Sequence, residues 1–229
     1  MPETGPYPHG PRGAISHSQS GMNWRKYVYS MDCFDRGLSR QNFGGDYDIV
    51  ALSGGGGSNE VTSVISHNTL ITGAILGNTE GTRVRDLMAQ RAREVYAEIA
   101  VELPSDLAEE FRFGFYKDAN EYVYIEFDKS VNANWRLTID DGGGPEFAAE
   151  VVAMAAGTHY MLGLWVEADG TPHWAVGTNW LNMTEIGTTG IANKMTADGH
   201  YIEYYIRAED AFAKTAYIDY LEIIKSKHE

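Results

Sequence analysis

The sequence predicts an all-β domain, either a sandwich or a barrel, and three observations support this. Short apolar segments recur roughly every 8–15 residues, the spacing of strands rather than of helices. Many of these segments alternate apolar and polar residues, the period of a half-buried strand. Glycine is abundant at 25 residues and proline scarce at 7, as a chain with many turns between short strands requires.

Taken in order, residues 1–22 are rich in Gly, Pro, Ser and His and show no apolar periodicity. Such a segment cannot bury enough surface alone to offset its ordering entropy, so it is expected to be a tail, or an arm that orders on a neighbouring subunit. From Asn23 to Gly45 aromatic residues appear (Trp24, Tyr27, Tyr29, Phe34, Phe43), which predicts a short strand or irregular segment packed on the domain. The expected division is therefore an N-terminal arm and irregular segment over 1–45 and a β domain over 46–229. The run SGGGGSN (Ser53 to Asn59) lacks the Gly-Lys-Ser/Thr ending of a phosphate loop and is expected to be a flexible hairpin loop.

Candidate strands then follow as YDIVAL, EVTSVIS, TLITGAIL, TRVRDLMA, EVYAEIAVEL, EFRFGFYK, EYVYIEFD, NWRLTIDD, EFAAEVVAMA, HYMLGLWVEAD, PHWAVGTN, HYIEYYIRAE and KTAYIDYLEIIK. Turns are marked by GNTEG, YKDANE, DDGGGPE, EADGTP and TADGH. The Asp-Gly pairs at 169–170 and 198–199 are strong turn signals. Residues 82–103 contain good helix formers, and a helix is the alternative there. Val95, Ala97, Ile99, Val101 and Leu103 nevertheless alternate with Tyr96, Glu98 and Glu102, and Pro104 ends the run, which predicts strands.

The formal net charge of -14 argues against a nucleic-acid partner, because an acidic surface repels phosphate backbones. Cys33 is the single cysteine. That excludes an intrachain disulfide framework and a zinc site of several thiolates. Asp32 and Asp35 flank Cys33, so a buried or semi-buried thiol is expected rather than a reactive one. The chain has no apolar run long enough to span a membrane as a helix. The N-terminus lacks the apolar stretch of a signal peptide, which predicts synthesis in the cytoplasm.

The strand EYVYIEFD carries the most suggestive chemistry. Val123, Ile125 and Phe127 fall on one face, and Tyr122, Tyr124, Glu126 and Asp128 on the other. Glu126 and Asp128, two residues apart, would stand roughly 6.5–7 Å apart along a strand, a separation compatible with paired acids in glycoside cleavage. No third acid follows in KSVNANW, and i, i+2 acids are common in a chain with 32 acidic residues. Glu98 and Glu102 would also share a face. Asp140 and Asp141 precede Gly142, Gly143 and Gly144, a pattern suited to turn hydrogen bonding, whereas calcium would need about six to eight oxygen ligands. None of the seven histidines has metal-site spacing, and all are expected as single surface residues. No Gly-x-Ser-x-Gly elbow is present. Tyr122, Tyr124 and Trp165, set opposite the apolar residues of their strands, are the candidate contacts for a sugar or a protein.

The order EFRFGFYKDANEYVYIEFD, NWRLTIDDGGG, AAGTHYMLGLWVEADGTPHWAVGTNW and AKTAYIDYLEIIK resembles the concanavalin A-like lectin/glucanase jelly roll, in the version found in tailed-phage virion proteins. The likeness runs from about Asp46 to Lys225 and is clearest over Phe111 to Ile224. The resemblance implies a jelly-roll sandwich of two antiparallel sheets and, more loosely, a virion-surface role. The glucanase strand of that family ends on a further Glu, which Glu126-Phe127-Asp128 lacks, and the lectin metal loop has no counterpart. Neither catalysis nor a cofactor or metal is therefore carried over. The expected function is a non-enzymatic virion structural protein, such as a capsid decoration (cement) or accessory head or tail protein. It would bind the major capsid protein or tail proteins and assemble as a homo-oligomer, a trimer at local threefold positions. The alternative is a carbohydrate-binding or receptor-binding module, and a third is a glycan hydrolase using Glu126 and Asp128.

Overall fold

The computed structural model describes residues 27–32, 49–53, 57–62, 67–89, 95–104, 109–167, 169–179, 181–195 and 199–226. The expectations for residues 1–22 and for Cys33 lie outside these. Among the described residues the chain forms strands and no helix. The strands are β1 (Tyr27–Asp32), β2 (Ile49–Ser53), β3 (Ser58–Thr62), β4 (His67–Ile71), β5 (Thr79–Ala89), β6 (Val95–Glu102), β7 (Glu109–Asp118) and β8 (Glu121–Asp128). They continue as β9 (Asn132–Asp141), β10 (Glu146–Ala153), β11 (His159–Val166), β12 (Pro172–Gly177), β13 (Thr184–Ile186), β14 (His200–Ala208) and β15 (Thr215–Ser226).

Two antiparallel sheets form the expected sandwich. One has the order β10-β9-β8-β7-β14-β5-β2. The other runs β13-β12-β11-β6-β15-β4-β3, with β1 added beside β15. Thr215 to Ile218 of β15 pair with β4, and Leu221 to Ser226 pair with β1, so β4 and β1 follow each other along one side of β15. The strand expectation for 82–103 holds: β5 and β6 occupy it, in different sheets.

The core sits where the two alternating patterns meet. From the seven-stranded sheet come Phe111, Phe113, Phe115, Val123, Ile125, Phe127, Trp135, Leu137 and Ile139. From the other come Ile99, Val101, Tyr160, Leu162, Leu164, Trp174 and Ile218. Trp135 is the hub, with Phe111, Phe127 and Tyr160 rings at 5.9, 5.8 and 5.6 Å.

Three expectations need correction, and one strand, β13, was not expected. β2 and β3 belong to different sheets, so SGGGGSN joins the two layers rather than closing a hairpin. β3 starts earlier than EVTSVIS suggests, and β4 both starts and stops earlier than TLITGAIL suggests. The Thr72 amide donates to the Lys214 carbonyl and the Lys214 amide to Thr72 Oγ1, both at 2.9 Å. These bonds draw the chain towards the β14–β15 connection and leave Ile75 and Leu76 exposed in a loop. β13 is three residues long with one apolar side chain, too short to carry a period. The Asp169-Gly170 turn forms as expected, with Gly170 at φ 88° and the Thr171 amide donating to Asp169 Oδ1 at 2.9 Å.

One glycine is demanded by packing. A Cβ on Gly81 would lie 2.3 Å from the Tyr204 carbonyl oxygen and 2.4 Å from Tyr205 Cβ. Its absence lets β5 and β14 close up on the outer face considered next.

Candidate functional site

The residues that alternate away from the core in β5, β14, β7, β8 and β9 fall into register across the outer face of the seven-stranded sheet. Tyr122 faces Tyr116, which faces Tyr201. In the next row Thr138, Tyr124, Gly114, Glu203 and Arg83 line up. A third row runs Arg136, Glu126, Arg112, Tyr205 and Gly81, and a fourth pairs Asp128, Glu110 and Arg207. Strands in a sheet lie about 4.8 Å apart, so each row is a near-continuous line of side chains.

Within that frame, ion pairs fix the arginines. Arg136 holds Glu126 Oε1 through Nη2 at 2.6 Å and donates from Nε at 2.7 Å. Arg112 Nε lies 2.6 Å from Glu110 Oε1 and 3.0 Å from Glu126 Oε2, bridging two buried carboxylates. Arg83 meets Glu203 Oε2 at 2.6 and 2.7 Å. Arg207 pairs with Glu110 and with Glu209. Burial raises the Glu110 carboxyl above its ordinary value, and Arg112 and Arg207 only partly offset that. Burial likewise lifts the Tyr205 hydroxyl.

Aromatic rings fill the spaces between these pairs. Tyr122 stacks on Tyr124 at 5.0 Å, Tyr116 lies on the same ring at 6.4 Å, and Tyr205 meets it edge-on at 6.4 Å. The Arg83 guanidinium covers Tyr116 at 4.4 Å, and Arg112 lies 5.4 Å from the Tyr124 ring. At the rim, Phe147 of β10 is 43% exposed and rests on Arg136 at 4.2 Å. Tyr116, Tyr122, Tyr201 and Tyr205 are half-buried, presenting part of their surface to solvent.

Among the expected contacts, Tyr122 stands half-buried on the outer face. Tyr124 points to the outer face as its alternation requires, yet it is only 1% exposed. Tyrosine rings on both sides enclose it, and its hydroxyl donates to Glu203. Burial and the Glu203 charge push that hydroxyl far above its ordinary value. Tyr124 is the floor of the site rather than a contact. Trp165 lies on the other sheet, so it does not join the two tyrosines. It is 6% exposed because His173 stacks on it at 5.3 Å and Tyr96 lies at 6.2 Å. Glu167 and Glu185 in turn hold His173 at 3.2 and 3.0 Å.

The two acids singled out as a hydrolytic pair are both engaged. Glu126 is 1% exposed and clamped by Arg136. Asp128 Oδ1 accepts from the Ser130 amide and hydroxyl at 3.0 and 2.6 Å and from the Val131 amide at 3.2 Å, closing the β8–β9 turn. Asp140 and Asp141 serve turn chemistry as expected: Asp140 accepts from the Gly142 and Gly144 amides at 2.9 and 3.1 Å, and Asp141 from Gly143 at 3.2 Å. Among the described residues no three His, Cys, Asp or Glu side chains converge as a metal site would need.

The histidines need one correction, since His200 is buried at 1% exposure rather than on the surface. His159 is a paired surface residue. Its Nε2 bonds to the Asp219 carboxylate, which raises its pKa above 6.5 against a smaller opposing effect of burial. A raised pKa means the fold favours the protonated ring. The stabilisation is complete below the unfolded-state value near 6.5 and is lost as pH rises through the folded-state value. Thermal unfolding midpoints should therefore fall between mildly acidic and mildly alkaline pH, and Asp219→Asn should flatten that slope. An unchanged slope in Asp219→Asn would refute the assignment.

Sequence reasoning missed Tyr116, Tyr201, Tyr205, Phe147 and the four arginines. The off-core positions of EFRFGFYK and HYIEYYIRAE carried the signal, but the register that aligns them with EYVYIEFD appears only in the folded sheet.

No family model matches the chain, and no curated protein matches it in sequence. Solved structures do match in shape. A protein of unknown function from Shewanella oneidensis MR-1 aligns with a TM-score of 0.68 at 13% identity, over 88% of this chain and 87% of that one. Peanut lectin, solved with a nonapeptide, aligns with a TM-score of 0.60 at 10% identity, over 89% of this chain and 100% of the lectin. The metal-free carbohydrate recognition domain of Emp46p aligns with a TM-score of 0.54 at 7% identity, over 84% and 94%. The fold is thus the lectin-like, concanavalin A-like jelly-roll sandwich.

Proposed function

We propose that the outer face of the seven-stranded sheet binds carbohydrate. The observation that carries this is the array of half-buried tyrosines held rigid by buried arginine–glutamate pairs on one face. A pyranose presents apolar C–H patches that suit aromatic rings and hydroxyls that suit guanidinium and carboxylate groups. Side chains locked by ion pairs lose little further entropy on binding. Likeness in fold to a lectin and to a carbohydrate recognition domain supports the same reading.

Under this reading Glu126 and Asp128 act in positioning and turn formation, and the domain is a binding module rather than a hydrolase. The virion role expected from the resemblance, with capsid or tail partners, a trimer and a place on the particle, draws no support from the solved structures named above.

The test is binding to a panel of polysaccharides by affinity electrophoresis. Native protein should be retarded by at least one polysaccharide. Tyr122→Ala should weaken that retention about tenfold, equal to about 1.4 kcal/mol. Leu181→Ala, at a side chain 90% exposed on the β12–β13 connection, should not change it. Equal retention of native protein and Tyr122→Ala would remove the proposal.

A further inference from the structure

The charges on the tyrosine-lined face are already matched to one another. Arg83 is paired with Glu203, Arg136 with Glu126, Arg112 with Glu110 and Glu126, and Arg207 with Glu110 and Glu209. Asp128 and Asp140 add negative charge beside them. In a chain of net charge -14, this face offers an anionic polymer no excess of positive charge to bind.

Its hydrogen-bonding pattern points the same way. Around the Tyr124 floor the carboxylates are already turned to guanidinium groups, Glu126 to Arg112 and Arg136 and Glu203 to Arg83. A hydroxyl donates and accepts, so it complements guanidinium and carboxylate alike; a carboxylate or sulfate only accepts, and would meet glutamates that also only accept.

We infer that the ligand of this face is an uncharged glycan, one that presents hydroxyl groups and carries no uronate or sulfate. The inference rests on the carbohydrate reading above and narrows it to a class. The arginines act here as neutralised, rigid hydrogen-bond donors, not as an electropositive trap. Binding to such a ligand should be almost insensitive to salt, because ionic screening weakens charge attraction and leaves hydroxyl contacts and ring stacking in place.

Affinity electrophoresis against neutral polysaccharides (β-glucan, mannan, galactan) and anionic ones (alginate, polygalacturonate, dextran sulfate), each at low and high salt, tests this. The expected result is retention by a neutral polymer, little changed by salt, and none by the anionic set. Glu209→Gln removes one of the two partners of Arg207 at a partly exposed position and leaves its pair with Glu110 and the other buried pairs intact, so it should fold. It should leave neutral retention within about twofold, a fraction of a kcal/mol. Retention by an anionic polymer that is lost at high salt would overturn the uncharged class and keep the carbohydrate reading. Retention by neither set would overturn both.

Discussion

Glu126→Ala is expected to lower the free energy of unfolding by about 3–5 kcal/mol, the usual cost of breaking a buried ion pair from one side. Glu126 is fully enclosed, and its two oxygens face two different arginines, Arg136 across β9 and Arg112 across β7. Removing the carboxylate leaves Arg136 without its counter-charge and Arg112 with Glu110 alone. It also unpins the rings above them, since Arg112 lies against Tyr124 and Arg136 beneath Phe147. In a domain of this size the midpoint of thermal unfolding should fall roughly 10 °C. Glu126→Gln keeps the shape and one acceptor, so it should cost less. A loss below about 1 kcal/mol for Glu126→Ala, in the range of exposed pairs, would mean that the pairs do not organise the face.

Trp135→Ala is the second large effect, at about 3–5 kcal/mol for deleting a buried aromatic ring. Trp135 has no exposed surface and touches rings from both sheets, so its cavity would open in the layer that joins them. Trp135→Phe should cost markedly less. It keeps most of the ring and removes an indole N–H that is buried without a hydrogen-bond partner. Urea unfolding of the three proteins separates these cases. Equal destabilisation by Ala and Phe would show that the indole N–H, not ring volume, is what the core needs.

The sandwich was legible because most strands carry their own evidence. Phe111, Phe113 and Phe115 alternate with Arg112 and Tyr116, and Val123, Ile125 and Phe127 with Tyr122, Tyr124 and Glu126. Each run fixes its inward face without knowledge of its neighbours. β13 and the early end of β4 were not legible, since the first has no period and the second is set by distant bonds between Thr72 and Lys214. The site was legible only in part, for a similar reason. Alternation says that Tyr124 points outward, but the rings of Tyr116 and Tyr205, far away in sequence, decide that it is buried. The match of Glu126 to both Arg112 and Arg136 is likewise a property of register between strands. Trp165 and Tyr122 resemble each other as outward aromatics, and only sheet order puts them on opposite sides of the sandwich.

The most direct test of the proposed carbohydrate-binding face is a crystal structure with an oligosaccharide from whichever polysaccharide retards the protein. The sugar should lie over Tyr122, Tyr116 and Tyr201 on the seven-stranded sheet, within hydrogen-bond reach of Arg83 or Arg112. A sugar bound instead on the opposite sheet, near Trp165 and His173, would contradict it.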